Sequence, residues 1–316
     1  MINRRLLRIK VLQELYAYNK SEDKTIEKSE KELFHSIHKS YQLYHYLFLL
    51  IVDVAAFARK KVEMAMEKKM PTHEDLHPNT RFIDNKVVKQ VENSEQMKKF
   101  LNENRLSWVN HPELIKGLYQ SLTGSEIYGK YMTNPKSGYE EDKQLVIDFF
   151  NHIVIPYEDL YNVLEEESIF WNDEVDYVIG MITKTIKKFR PEDQTNVSMM
   201  VLYKNDDDRD FVKTLFRKTI LNQKEYISLI EKFTKNWDFE RIAYMDTLLM
   251  KTAIAELLSF PSIPTKVTLN EYIEISKFYS TKKSNVFING ILDKIIHHLR
   301  ENNKIQKQGR GLIGES

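Results

Sequence analysis

The stretch from Trp237 to Asp293 constrains the fold more than any other, because three apolar stripes at helical spacing follow one another almost without interruption. Ile242, Met245, Leu248, Leu249, Thr252, Ala253 and Leu257 make the first stripe, which Pro261 and Pro264 end. Thr268 and Glu271 then have the spacing of a capping box and predict a helix start there, with Leu269, Tyr272, Ile273 and Ser276 on one face. After a short basic loop, Ser284 reads as an N-cap for a stripe of Phe287, Ile288, Ile291, Leu292, Ile295 and Leu299. Gly290 inside that helix costs about 1 kcal/mol against Ala, which predicts close approach of a neighbouring helix.

The rest of the chain follows the same period. Helices are predicted over 3–19, 32–69, 86–104, 112–132, 140–153, 157–167, 173–189, 192–204, 210–221, 223–234, 240–260, 268–279 and 284–301. Only 9 Gly and 8 Pro occur in 316 residues, too few for a turn-rich β fold, and no strand pattern longer than four or five residues survives. The class is all-α. The segment after Asn302 has GRG and no apolar periodicity, which predicts disorder over 302–316.

Several chemistries are excluded. The chain has no cysteine, which removes disulfides, thiolate metal sites and cysteine nucleophiles and suits a reducing cytoplasm. No phosphate-binding glycine loop, nucleophile elbow or HExxH is present, so no catalytic residue, cofactor or metal site is assigned. His35, His38 and His45 lack a completing carboxylate set. Tyr41–Ala58 is the most apolar stretch, but Gln42, His45 and Asp53 interrupt it, so it reads as a buried helix with no membrane span. The opening MINRRLLRIKVLQ lacks the apolar core of a secretory signal.

The net charge of +1 conceals an uneven distribution. Arg4, Arg5, Arg8, Lys10 and Lys20 face only Glu14 in the first 20 residues, whereas Glu158–Asp176 holds eight acids and no base. On a helix, Arg5, Arg8, Leu12 and Tyr16 fall within roughly 80° of arc beside the Leu7, Val11 and Leu15 stripe. Guanidinium groups leading to an aromatic ring suit single-stranded RNA, the former pairing with phosphates and the latter stacking a base.

Arg241, Asp246, Glu256-Leu257, Pro264, Lys266-Val267, Asn270-Glu271 and Phe287-Ile288-Asn289-Gly290-Ile291-Leu292-Asp293 together resemble the closing helices of the NusB family of bacterial transcription antitermination factors. Gln13, Leu15 and Tyr16, preceded by the arginine cluster, resemble that family's first helix. The resemblance implies a NusB-like RNA-binding domain made of 1–20 and 205–301, with a helical insertion over 21–204. It implies RNA contacts from Arg4, Arg5, Arg8, Tyr16, Lys266, Lys282 and Lys283, the lysines lying in loops beside the basic end of the first helix. It also implies boxA-type RNA of nascent ribosomal transcripts as ligand, the ribosomal protein NusE as partner, and action in the transcription elongation complex. Arg241, Asp246, Asn289 and Asp293 read as residues that tie helix ends. Two other readings stand beside it: a helical adaptor acting through the insertion, and an RNA-binding part of an rRNA-modifying system.

Overall fold

A computed structural model of the chain describes residues 4–23, 25–136, 138–171, 173–203, 205–234 and 242–314. Among them there is no strand. The helices are α1 (Arg4–Lys20), α2 (Ile26–Met66), α3 (His73–Leu76), α4 (Lys86–Asn93), α5 (Glu95–Asn104), α6 (Pro112–Thr123), α7 (Glu126–Thr133), α8 (Tyr139–Asp148), α9 (Glu158–Glu167) and α10 (Val175–Ile186). They continue with α11 (Asp206–Leu221), α12 (Gln223–Phe233), α13 (Tyr244–Ser259), α14 (Thr265–Tyr279) and α15 (Ser284–Glu301). The chain divides into two compact units, 1–37 with 203–316 and 38–202. The first unit therefore takes in the opening turns of α2, where Leu33 and Ile37 are buried, instead of ending at residue 20.

In the first unit α13 is the axis. Its residues from Leu248 to Leu257 are buried on every side, so it is a central helix rather than an amphipathic surface one. It packs against α1, α11, α12, α14 and α15. Asp246, in its first turn, accepts hydrogen bonds from the hydroxyls of Ser280 and Ser284, the latter at 2.8 Å, and so fastens the α14–α15 turn to the start of α13. That tie matches the reading of Asp246; Arg241 lies outside the described residues. Asn289 and Asp293, by contrast, are exposed on α15 and tie no other helix end among the described residues. Gly290 is exposed too, and a methyl group there would meet nothing within 4 Å, so no close helix approach explains it.

The start of α14 also departs from expectation. The helix begins at Thr265, one turn early, and Thr268 and Glu271 form no capping box. Both side chains are used on neighbouring helices, as described below. Ser284 is the first residue of α15 rather than its cap.

Residues 303–314 are held in place by specific bonds, which differs from the disorder expected over 302–316. The Lys307 ammonium donates to the carbonyls of Leu257 and Phe260, each at 3.1 Å, and so satisfies the open end of α13. The Gln308 amide donates to the Pro261 carbonyl at 3.0 Å. A short 3-10 turn, Gly309–Leu312, follows. This strap is held by polar capping and backbone bonds, so no apolar period marks it.

The second unit has its own core around the apolar middle of α2, from Leu43 to Ala58. By length and composition α2 could cross a membrane, yet 67% of its most apolar stretch is buried within the protein. Tyr46 stacks on Trp108 at 3.7 Å, and the Trp108 indole donates to the Tyr46 carbonyl at 2.8 Å. Two predicted helices are each split: Ser94 ends α4 and caps α5, and Ser125 caps α7 after the break at Gly124. The predicted helix over 192–204 is absent. After a turn at Pro191–Asp193, Tyr44 and Gln96 accept from the amides of Met200 and Met199, and Tyr41 donates to the Met200 carbonyl. Side chains thus take the backbone bonds that a helix would have made.

Candidate nucleic-acid interface

Helix α1 holds the sequence-predicted strip, and its packing decides what each residue can do. Leu6, Leu7, Arg8, Lys10, Val11, Leu12 and Leu15 are all buried, so α1 has little free surface. The arc expected to carry Arg5, Arg8, Leu12 and Tyr16 into solvent is broken in its middle.

Arg8 is 3% exposed. Its Nε and Nη2 each donate to the Glu256 carboxylate at 2.7 Å, and Glu256 also accepts from Thr268 Oγ1 at 2.9 Å and Tyr272 OH at 3.1 Å. Burial by itself would lower the Arg8 pKa, but the charge and hydrogen bonds of Glu256 outweigh it and hold the guanidinium protonated. The same burial, with Glu256 alongside, pushes the Tyr272 hydroxyl well up and keeps it a donor. Arg8 is therefore part of the scaffold joining α1, α13 and α14, and its assignment as an RNA contact is corrected.

Arg4 and Arg5 keep partial exposure but are also paired. Arg4 Nε donates to buried Asp208 at 2.9 Å, with its guanidinium 5.2 Å from the Phe211 ring. Arg5 grips Glu271 through two bonds of 2.9 and 2.8 Å. Burial would raise the Glu271 pKa, but the bond from Arg5 and the charges of Arg8 and Arg5 win, so it lies below the usual range. Each arginine of α1 thus has an acid against it, and Glu271 also stands 3.7 Å from Arg8.

The other end of α1 is different. Tyr16 is 42% exposed, and its ring meets that of Tyr244 edge-on at 5.7 Å. Lys20 Nζ sits 6.0 Å from the Tyr16 ring and 4.8 Å from the Tyr244 ring. Because Tyr244 opens α13 and Asp246 binds Ser280 and Ser284, the exposed Lys282 and Lys283 belong to this same end of the unit. They do not lie beside the arginines, as expected. Lys266 does: it is the second residue of α14, on the helix rather than in a loop, five residues before Glu271.

The Arg5–Glu271 and Gln13–Tyr279 contacts show α1 and α14 running parallel. The seven candidates thus form two groups roughly 16 Å apart along α1, taking ~1.5 Å per residue from Arg5 to Tyr16. Tyr244 and Lys20 complete the aromatic group, and sequence reading missed both roles. Lys20 was visible as charge, while Tyr244 gave no signal because it sat inside an apolar stripe. Among the described residues no group of three or more His, Asp or Glu could hold a metal.

Comparison with known proteins agrees with this architecture. Residues 177–297 match the model of the NusB family. The transcription antitermination protein NusB of Salinibacter ruber is 45% identical over 106 residues, 34% of this chain and 66% of that protein. The namesake of Chloroherpeton thalassium is 41% identical over 105 residues, 33% of this chain and 50% of that protein. That of Natranaerobius thermophilus is 36% identical over 97 residues, 31% of this chain and 70% of that protein. This chain therefore spans between half and about two thirds of the length of the relatives it matches. No solved structure matches it. The family match begins within the second unit and stops short of α1, whose place is shown by its packing on α11, α13 and α14. With an all-helical closing bundle and curated relatives this similar, the chain belongs to the NusB family.

Proposed function

We propose that this protein is a non-enzymatic transcription antitermination factor that binds a single-stranded, boxA-type element of nascent ribosomal RNA. In this reading it acts in the cytoplasm, without a cofactor, together with NusE in the transcription elongation complex. The observation that carries it is the Tyr16, Tyr244 and Lys20 cluster, an exposed aromatic face with a cation over both rings. A base can stack there while Lys282 and Lys283, at the same end, take phosphates. The relatives' printed name, transcription antitermination protein NusB, supports the antitermination part of this reading.

A second surface is available for the protein partner. Phe278 is 82% and Val286 73% exposed on either side of the α14–α15 turn. We assign NusE to it. The 38–202 unit, whose acids from Glu158 to Asp176 are exposed apart from the buried Glu174, is an appendage to this machinery in our reading.

Fluorescence anisotropy with a labelled boxA RNA, with and without NusE and across a salt series, tests the proposal. Specific binding that tightens with NusE and weakens steeply with salt is expected. Equal affinity for scrambled RNA, with no effect of NusE, would overturn it.

A further inference from the structure

The C-terminal strap, which lies beyond the family match, borders an open cavity. It has a volume of about 400 Å³, and its lining includes Arg4, Pro264, Val267, Glu271, Arg310 and Ile313. The strap is built to lie there. Gly311 is buried, and a methyl group on it would stand 1.9 Å from the Pro261 carbonyl oxygen, so only glycine seats the turn against that loop. Gly309 and Gly314 carry positive φ of 54° and 75°, which bends the strap on both sides of the turn. The Lys266 side chain rests against Gly314, where a methyl group would stand 3.3 Å from Cδ and 3.6 Å from Nζ.

The charge arithmetic gives this cavity its meaning. Asp208, Glu271 and Glu256 neutralise Arg4, Arg5 and Arg8 in turn. Arg310 and Lys266 are exposed, and neither side chain makes an ion pair or hydrogen bond among the described residues. The uncommitted positive charge at this end of α1 therefore comes from the strap and the start of α14. Beside it lies an apolar wall of Pro264, Val267 and Ile313, the last 67% exposed.

We propose that the strap forms a nucleotide subsite of the RNA interface: one base lies against Val267, Pro264 and Ile313, and its phosphate is held by Arg310 and Lys266. The assignment rests on the RNA-binding reading above and adds a ligand position to it. Apolar walls accept a base face and free cations accept its phosphate, a pairing that suits one nucleotide of a single strand better than an inorganic anion or a purely apolar ligand. The subsite sits roughly 18 Å along α1 from Tyr16, at ~1.5 Å per residue from Arg4, so a strand reaching both must run along α1 and α14.

The test compares full-length protein with Arg310→Ala and Gly311→Val against labelled single-stranded RNAs of increasing length. Wild type should gain affinity once the RNA is long enough to span from Tyr16 to the strap. Both variants should lose that gain, binding the long RNA severalfold more weakly and the short RNA as wild type does. Arg310→Ala should also reduce the salt slope by about 0.7. Arg310 is exposed, so its variant decides the matter even if Gly311→Val is unstable. Wild-type binding with an unchanged length profile in Arg310→Ala would remove the subsite and leave the RNA-binding reading standing. No RNA binding by wild type at any length would remove both.

Discussion

Arg8 and Glu256 meet as a bidentate pair with both contacts at 2.7 Å, and neither side chain reaches solvent. Thr268 and Tyr272 complete the carboxylate's hydrogen bonds, so four residues from three helices share one buried charge pair. An arginine that the sequence places in a ligand-binding strip is, in the folded chain, a fastener of the bundle.

Replacing Arg8 with Ala should accordingly be a stability variant. It strands a buried carboxylate, and breaking such a pair from one side costs about 3–5 kcal/mol. Urea denaturation followed by circular dichroism measures this. Glu256→Leu in the Arg8→Met background should recover much of the loss, since a matched apolar pair leaves no charge unpaired. A cost below 1 kcal/mol for Arg8→Ala would contradict the geometry.

Tyr16→Ala should do the opposite, sparing the fold and harming the ligand. Stacking of one base is worth ~1–3 kcal/mol, or roughly 5- to 150-fold in affinity. Tyr16→Phe, which keeps the π face, should bind within about twofold of wild type if stacking rather than the hydroxyl matters. Anisotropy titrations of the three proteins at one salt concentration would decide.

Lys282→Gln and Lys283→Gln should weaken binding uniformly across RNA sequences. Each phosphate contact on a single strand contributes about 0.7 to the slope of log affinity against log salt. The double variant should therefore have a slope shallower by about 1.4. An unchanged slope would take this turn out of the interface.

The 38–202 unit has a pH signature of its own. His45 is buried with its Nδ1 against the Tyr41 carbonyl and its ring 3.8 Å from Phe100. Burial pushes its pKa down from 6.5 to about 4, so the unfolded chain protonates first as pH falls. The stability it contributes is complete above pH 6.5 and lost between 6.5 and about 4, up to about 3 kcal/mol. Asp53 acts in the reverse sense, because burial raises its pKa from 3.8 to about 6 and the folded state holds its proton longer. Its penalty grows as pH rises from 3.8 to about 6. Asp53→Asn should thus stabilise the protein at neutral pH by up to about 3 kcal/mol and steepen the acid loss due to His45. Thermal melts between pH 4 and 7 would show both; a flat profile in the variant would refute the assignment.

The closing helices were legible because apolar stripes at 3.6-residue spacing survive any context. α15 covers the predicted 284–301, and Asp246 already stood out. Boundaries set by single polar groups were less visible. Ser94 and Ser125 divide helices that run on in the pattern, and the capping spacing of Thr268 and Glu271 misled because both side chains serve partners on other helices. The strap was invisible for a related reason: lysine capping and glycine turns leave no period to detect.

By itself the amino-acid order determined the helical class, the apolar stripe of α13 and the presence of cations and an aromatic on α1. Only the tertiary structure decided which of those cations are spent. Charge is written in the sequence, but its neutralisation depends on acids hundreds of positions away, and Asp208, Glu256 and Glu271 reach the arginines only when α11, α13 and α14 close around α1.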